Sequence, residues 1–236
     1  MTAIIGFDTA TEQTVVGAMV DGESVFEFRS DPVRGARPAH SVELLPAVEG
    51  AVEAVGGWSE VDLIGVGIGP GTYTGLRIAI ATARGLALSG AAGTVGVPTL
   101  EAMARSIGRR HLDSVAVPVL DARRGEVFYG AWGIEGEELH PASVGPPSEL
   151  VEVVSRLPGR PVVAGPGAVR FRSELLSGGL EPTAEDDPSN RLDGLAICEI
   201  AELGAGQGRQ EELEPIYLRA PDAERWAGLT GADGRD

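Results

Sequence analysis

The stretch from Gly69 to Arg77, with the sequence GPGTYTGLR, restricts the possible folds of this chain more than any other segment. It follows the apolar run Leu63–Val66, typical of a buried strand, and precedes a helical pattern that continues to about Leu88. Its Gly-Pro-Gly start reverses the chain, and Thr72 or Thr74 is suited to cap the helix. Such a helix start can hold an anion on its free N–H groups, although a tight connection without a ligand fits the same residues.

A second candidate phosphate contact lies where the first predicted strand ends, at Asp8-Thr9-Ala10-Thr11. A turn of this composition can present N–H groups and hydroxyls to a phosphate, with a carboxylate near a magnesium ion. The other interpretation is that the polar side chains only satisfy backbone groups of the turn. The predicted vestigial contacts to a nucleotide phosphate are Asp8, Thr9, Thr11, Gly69, Gly71 and Thr72.

The order of predicted elements is repeated along the chain, which indicates a duplicated α/β fold. The predicted strands are 3–7, 14–20, 24–28, 63–66, 94–97, 115–120, 127–132 and 161–164. The predicted helices are 39–55, 74–88, 98–107, 147–157 and 192–203, and 31–38 is predicted to be a loop. We predict an N-terminal domain over 1–108, a smaller domain over 109–220 and a flexible tail over 221–236.

The second half carries a degraded copy of the first loop. Asp121-Ala122-Arg123 takes the place of the Asp8 turn. A phosphate loop needs Gly at the third position, where Arg123 stands. We therefore expect the second half of any nucleotide clamp to be lost.

Composition excludes several kinds of chemistry. The formal net charge is −16, from 35 acids and 19 bases, so direct binding of this chain to nucleic acid is disfavoured. Every base is Arg, which excludes a Walker-type lysine and a Schiff-base lysine. Gly71–Gly75 has the spacing of a nucleophile elbow, but Tyr73 occupies the place of the nucleophile.

Metal and thiol chemistry are disfavoured as well. His40, His111 and His140 are too far apart in sequence for a closely spaced zinc site, so no metal ligands are predicted. His40 stands at a helix start, where capping or solvent exposure is expected. Cys198 lies among apolar residues at helical spacing and is predicted to be a buried, inert thiol. The single cysteine and the lack of a long apolar run predict a soluble, cytoplasmic protein.

The helices 40–55 and 74–88 are candidates for a contact between subunits. The second has small residues that would let another helix approach closely, and Leu44, Val48 and Val52 lie at helical spacing on the first. The alternative is that these faces pack on their own sheet.

Six segments together resemble the TsaB (YeaZ) family, the dimerisation subunit of the bacterial tRNA threonylcarbamoyladenosine synthase. The similarity spans roughly residues 3–219. The segments are IGFDTAT, HSVELLP, VGIGPGTYTGLRIAIATARGLAL, VPTLEAMA, LDARRGEVFYG and EPIYLR.

The resemblance implies an actin, hexokinase and Hsp70-like (ribonuclease H-like) fold and a non-catalytic subunit. Its partners would be the catalytic paralogue TsaD and the ATPase TsaE, with a homodimer when alone and contact with tRNA only through the complex. ATP and magnesium would be used by the complex, with no cofactor assigned to this chain and no membrane contact. The family's catalytic paralogue has a metal-binding histidine pair, whereas here Leu44 stands four places after His40. The implied interface residues are His40, Leu44, Leu45, Val48, Val52, Arg77, Ile78, Thr82, Ala83 and Leu86.

A second hypothesis remains open from the residues. The chain could be an independent enzyme of the same superfamily, either a small-molecule kinase or a glycoprotease-like peptidase. A kinase would need a working second phosphate loop.

Overall fold

A computed structural model describes residues 1–31, 38–88, 92–208 and 213–219, which form two mixed β-sheets with seven helices. The first sheet has the order β3-β2-β1-β4-β5, with β1 antiparallel to β2 and parallel to β4. Most of the loop expected at 31–38 and all of the tail expected at 221–236 lie outside the described residues. The strands of this sheet are β1 (Ala3–Asp8), β2 (Thr14–Val20), β3 (Glu23–Ser30), β4 (Leu63–Gly69) and β5 (Gly93–Pro98).

The second sheet repeats the first without its fifth strand, in the order β8-β7-β6-β9. This confirms the predicted duplication. Strand β8 was missed because its sequence contains Pro141. Among the described residues β8 pairs with β7 alone, and an edge strand tolerates proline. The strands are β6 (Val115–Arg123), β7 (Glu126–Trp132), β8 (Glu138–Gly145) and β9 (Pro161–Ala164).

The helices cover the sheets in three layers. Helices α1 and α2 pack on one face of the first sheet, α3 and α7 lie between the two sheets, and α4 to α6 cover the second sheet. No helix in the described ranges is long and apolar enough to cross a membrane. The helices are α1 (His40–Ala54), α2 (Tyr73–Ala87), α3 (Thr99–Arg110), α4 (Pro147–Val154), α5 (Pro166–Arg170), α6 (Arg172–Ser177) and α7 (Gly194–Gly206).

Helix α7 returns to the first sheet, although the predicted division places it in the second domain. Its Ile197 lies against Gly6, and its Ala201 lies against Gly65. Cys198 is fully buried there, and burial raises the pKa of its thiol, as expected for an inert cysteine. One apolar core runs across the predicted boundary at 108, so that division stays a prediction.

Two glycines let α7 sit directly on β2. A Cβ added at Gly17 would lie 2.5 Å from the carbonyl carbon of Gly194, the first residue of α7. The contact joins two backbones, so a side chain here displaces the helix rather than a flexible neighbour.

We expect Gly17→Ala to lower the free energy of unfolding by about 1–3 kcal/mol, the usual cost of overpacking. The measurement is denaturant unfolding followed by circular dichroism. Gly108→Ala in α3 is the matched control: a Cβ there meets nothing within 4 Å, so helix propensity should raise the stability by up to about 1 kcal/mol. Equal midpoints for the Gly17 variant and the wild type would contradict the close contact of β2 with α7.

Candidate functional site

The corner that starts α2 is built against the end of β1. The backbone N–H of Thr72 donates to the carbonyl of Ala10 at 2.6 Å, and the Thr9 hydroxyl donates to the carbonyl of Gly75 at 2.7 Å. Thr72 caps α2, as predicted, because its hydroxyl accepts from the Gly75 N–H at 3.2 Å. The N–H groups that were candidates for an anion are therefore partly used by the chain itself.

The glycines of this corner are explained by the same contact. A Cβ at Gly71 would lie 2.3 Å from the carbonyl oxygen of Ala10, and one at Gly75 would lie 1.8 Å from that of Thr9. Only residues without a side chain let the two backbones approach so closely. The corner is thus filled with the chain's own backbone.

Asp8 is buried behind this corner and uses both carboxylate oxygens. One oxygen accepts from the Ala10 N–H at 2.6 Å and the other from the Thr99 hydroxyl at 2.7 Å, which ties β1 to α3. Burial raises the pKa of the Asp8 carboxyl, and these two hydrogen bonds oppose the rise. The Thr11 hydroxyl likewise accepts from the Gln13 N–H at 3.1 Å. The geometry of the turn fits the interpretation that these side chains satisfy backbone groups, and their phosphate role stays a prediction.

The second loop repeats the first and reaches across to it. The Asp121 carboxylate accepts from the Arg123 N–H at 2.8 Å, just as Asp8 does from Ala10. Arg123 has φ +64°, the left-handed conformation in which a phosphate loop would place glycine. Its guanidinium forms an ion pair with Glu12 of the first loop, and the hydrogen bond that it donates within this pair raises the pKa of Arg123. The two loops are thereby joined by protein side chains.

A cleft of about 970 Å³ lies between the two loops. Carboxylates outnumber guanidinium groups in its lining, which disfavours a polyphosphate ligand. Its charged lining residues are Glu12, Asp31, Asp121, Glu174, Glu185, Arg123, Arg170 and Arg172.

His40 is buried at the start of α1, which corrects the expected capping or exposed role. Its Nδ1 lies 2.9 Å from the Thr14 hydroxyl, which also donates to Glu43 at 3.0 Å. Burial lowers the pKa of His40, although the Thr11 backbone and Glu43 oppose the shift. Within the described ranges, His, Cys, Asp and Glu side chains form no group of three or more that could hold a metal ion.

Several implied interface residues face the chain's own core. Leu44, Val48, Val52 and Ala83 are buried between the helices and the first sheet, which fits the alternative that these faces pack on their own sheet, and their contact with a partner stays a prediction. A charged substitution at Ala83 would place a charge in the core and disrupt the fold, so it could not test an interface. Of the remaining predicted residues, His40 is buried, Leu45 and Arg77 are exposed, and Ile78, Thr82 and Leu86 are half-buried.

The outward side of α1 and α2, which we call the docking face, contains Leu45 and Arg77 together with exposed residues that sequence reasoning did not single out. Val42 is 73% exposed, Leu45 50% and Leu88 89%. Small residues lie at the centre of the outward side of α2, where another helix could approach closely. Counting helical turns outward from the buried stripe could have found these positions. The docking face consists of Val42, Leu45, Pro46, Glu49, Glu53, Tyr73, Thr74, Arg77, Ala81, Arg84, Gly85 and Leu88.

Charge is segregated between the two helices of this face. Helix α1 contains three Glu residues and no Arg, whereas α2 contains Arg77 and Arg84 and no acid. A partner with the same arrangement, turned by a two-fold rotation, would place an acidic helix against a basic one.

Comparison with known proteins finds a family model and several proteins whose sequences are similar to this chain. Residues 34–166 match the family model "TsaD: tRNA N6-adenosine threonylcarbamoyltransferase". The tRNA threonylcarbamoyladenosine biosynthesis protein TsaB of Escherichia coli is 30% identical over 250 residues, covering 98% of this chain and 99% of that protein. The Haemophilus influenzae protein of the same name is 26% identical, covering 98% of each chain.

Solved structures agree on the fold. YeaZ from Pseudomonas aeruginosa superposes with a TM-score of 0.73 at 25% identity, covering 92% of this chain and 100% of that one. A ROK hexokinase from Thermus thermophilus superposes with a TM-score of 0.50 at 12% identity, covering 86% of this chain and 100% of that one. The predicted actin- and hexokinase-like fold is confirmed.

The raised pKa of Asp8 makes a testable contribution to stability. The folded chain keeps the Asp8 proton to higher pH than the unfolded chain does. The stabilisation that comes from this protonated carboxyl is therefore fully present below its unfolded pKa and is lost as pH rises through its folded pKa. In Asp8→Asn the amide oxygen still accepts from the Ala10 N–H and the amide N–H donates to the Thr99 hydroxyl, so both contacts are kept without a charge. We expect this variant to lose less stability than the wild type as pH rises from the usual carboxyl pKa to above neutrality. The measurement is denaturant unfolding across this range.

Asp8→Ala is the comparison for the two hydrogen bonds. It leaves the Ala10 N–H and the Thr99 hydroxyl without their partner, and we expect it to cost about 1–3 kcal/mol at every pH. An Asn variant as unstable as the Ala variant would show that the charge of Asp8, rather than its hydrogen bonds, stabilises the corner.

Proposed function

The chain belongs to the TsaB family, and we propose that it is a non-catalytic partner subunit in the biosynthesis of threonylcarbamoyladenosine in tRNA. The observation that carries this proposal is the docking face: two neighbouring helices expose Val42, Leu45 and Leu88 to solvent. Exposed apolar side chains grouped on one face of a soluble domain are typical of a protein–protein interface.

The partner that we propose is the catalytic paralogue TsaD. More than half of this chain matches the TsaD family model, so a TsaD chain would present a related pair of helices. Two related chains can join by an approximate two-fold rotation, which sets α1 of each against α2 of the other. The segregated charges of α1 and α2 favour this arrangement, and the same rotation would form a homodimer when the chain is alone.

The non-catalytic role is supported by the filled corner at the start of α2. The Thr72 N–H already donates a hydrogen bond to the Ala10 carbonyl. The Arg123–Glu12 ion pair joins the two loops, in the space between them that a nucleotide phosphate would need. We propose that ATP and magnesium act elsewhere in the complex, on the ATPase TsaE, and that tRNA is contacted through the complex, because this chain carries a formal charge of −16.

We expect the purified chain alone to make no modified nucleoside from unmodified tRNA and to restore synthesis when added to TsaD and TsaE. The measurement is mass spectrometry of nucleosides from digested tRNA. Synthesis by the chain without partners, or binding of ATP with turnover in calorimetry, would support the independent kinase instead.

We expect Gly85→Arg to weaken binding to TsaD by about 30-fold or more, because a bulky charge at the centre of an interface costs about 2 kcal/mol or more. The measurement is calorimetric titration with purified TsaD, and circular dichroism checks the fold. A Cβ at Gly85 meets nothing within 4 Å, so the variant should fold.

Gly206→Arg is the matched control for this substitution. Gly206 is also an exposed helical glycine with nothing within 4 Å of an added Cβ, but it lies on α7, away from the docking face. It should bind TsaD as the wild type does. Equal affinities for the Gly85 and Gly206 variants would place the interface elsewhere.

A further inference from the structure

Residues 213–219, which we call the strap, run from the first half of the molecule to the second. Leu213 is buried in the core under α2, and the Ile216 N–H donates to the Ile68 carbonyl of β4 at 2.8 Å. At the other end, Arg219 donates to the Ala122 carbonyl at 3.0 Å and forms an ion pair with Glu126. The strap therefore holds both halves at once.

The strap lies along one flank of the docking face. The Arg84 guanidinium donates to the Leu213 carbonyl at 3.1 Å. The ring of Tyr217 lies 5.7 Å from that of Tyr73, and the Arg77 guanidinium carbon lies 3.9 Å from the centre of the Tyr73 ring. Both arginines of α2 are thus connected to the strap, Arg84 by a direct hydrogen bond and Arg77 through the contact of the Tyr73 ring with that of Tyr217.

Tyr217 also adds to the exposed surface at this flank. It is 41% exposed and Tyr73 is 43% exposed, so both rings can contact a docked protein. Tyrosine and arginine are the residues that most often dominate binding energy at protein interfaces. The cluster of Tyr73, Arg77 and Tyr217 has this composition and borders the small residues of α2.

The far end of the strap holds the hairpin of β6 and β7, residues 121–126. This is the hairpin whose Arg123 forms the ion pair with Glu12 of the first loop. The strap and the Arg123–Glu12 ion pair are two separate connections between the two halves of the molecule. Each connection favours the relative arrangement of the halves in which the other can form.

We propose that the strap couples protein docking on the α1–α2 face to the position of the β6–β7 hairpin. The inference rests on the proposed docking face. A docked partner covers Tyr217 and further stabilises the strap, which holds Arg219 on Ala122 and Glu126. By reciprocity, loss of the hairpin anchor weakens docking, although the hairpin lies outside the docking face.

The first experiment measures the affinity of the full chain for TsaD by calorimetry after Arg219→Ala, which removes the hairpin anchor. We expect binding about tenfold weaker than for the wild type, within the usual range of coupling between sites. Arg156→Ala is the matched control: Arg156 forms an exposed ion pair with Glu152 in the second half, away from the strap, and its loss should leave the affinity unchanged.

The second experiment gives a readout that loss of stability alone would not move. Hydrogen exchange of the hairpin amides at 122–126 is measured with and without saturating TsaD. In the wild type we expect docking to slow this exchange by several-fold, and in Tyr217→Ala we expect the slowing to be lost while α1 and α2 are still protected. Tyr217 is largely exposed, so this variant should fold.

The outcomes separate the strap from the proposed function. A wild-type chain that does not bind TsaD overturns the docking face and the coupling with it. If the wild type binds TsaD, two results overturn the coupling alone: an unchanged affinity for Arg219→Ala, or hairpin exchange that is equally fast with and without TsaD. Neither result contradicts the docking face.

Discussion

The contact between the end of β1 and the start of α2 is the constraint on which the rest of this molecule depends. The Thr72 N–H bonds to the Ala10 carbonyl, and Gly71 and Gly75 leave room for the backbone that passes over them. This contact sets the direction in which α2 leaves the sheet and so decides which of its side chains face outward. It also occupies space that an anion would need. One backbone contact therefore both orients the exposed side of α2 and uses an N–H group at the start of that helix.

The polar groups behind this corner hold it in place. Asp8 links the β1 turn to α3 through Ala10 and Thr99, although burying its carboxyl raises the pKa. The second half keeps the same turn at Asp121 but uses Arg123 where glycine would be needed, and that arginine reaches Glu12. The ion pair of Arg123 with Glu12 therefore joins the two loops that border the cleft. The strap contacts both α2 of the docking face and the hairpin beside the cleft, so these three regions are connected.

Much of the fold was predictable because its patterns are local. The alternation of strands and helices, the repeated order of the two halves and the Thr72 cap could all be predicted from spacing and turn residues. Strand β8 was missed because its proline argues against a strand unless the strand is known to be an edge. The site was predictable only in part: the two helices were identified, but five of their proposed contact residues, His40, Leu44, Val48, Val52 and Ala83, are buried.

The sequence by itself determined the order of the elements, the absence of lysine chemistry and the membership of a family through motifs such as GPGTYTGLR. Tertiary structure alone decided which side of each helix is free, because an apolar helix pattern does not say whether its sheet or another protein covers it. It also decided that α7 returns to the first sheet and that residues 213–219 span both halves. These contacts join residues far apart in the chain, and no local pattern encodes which distant partner a segment meets.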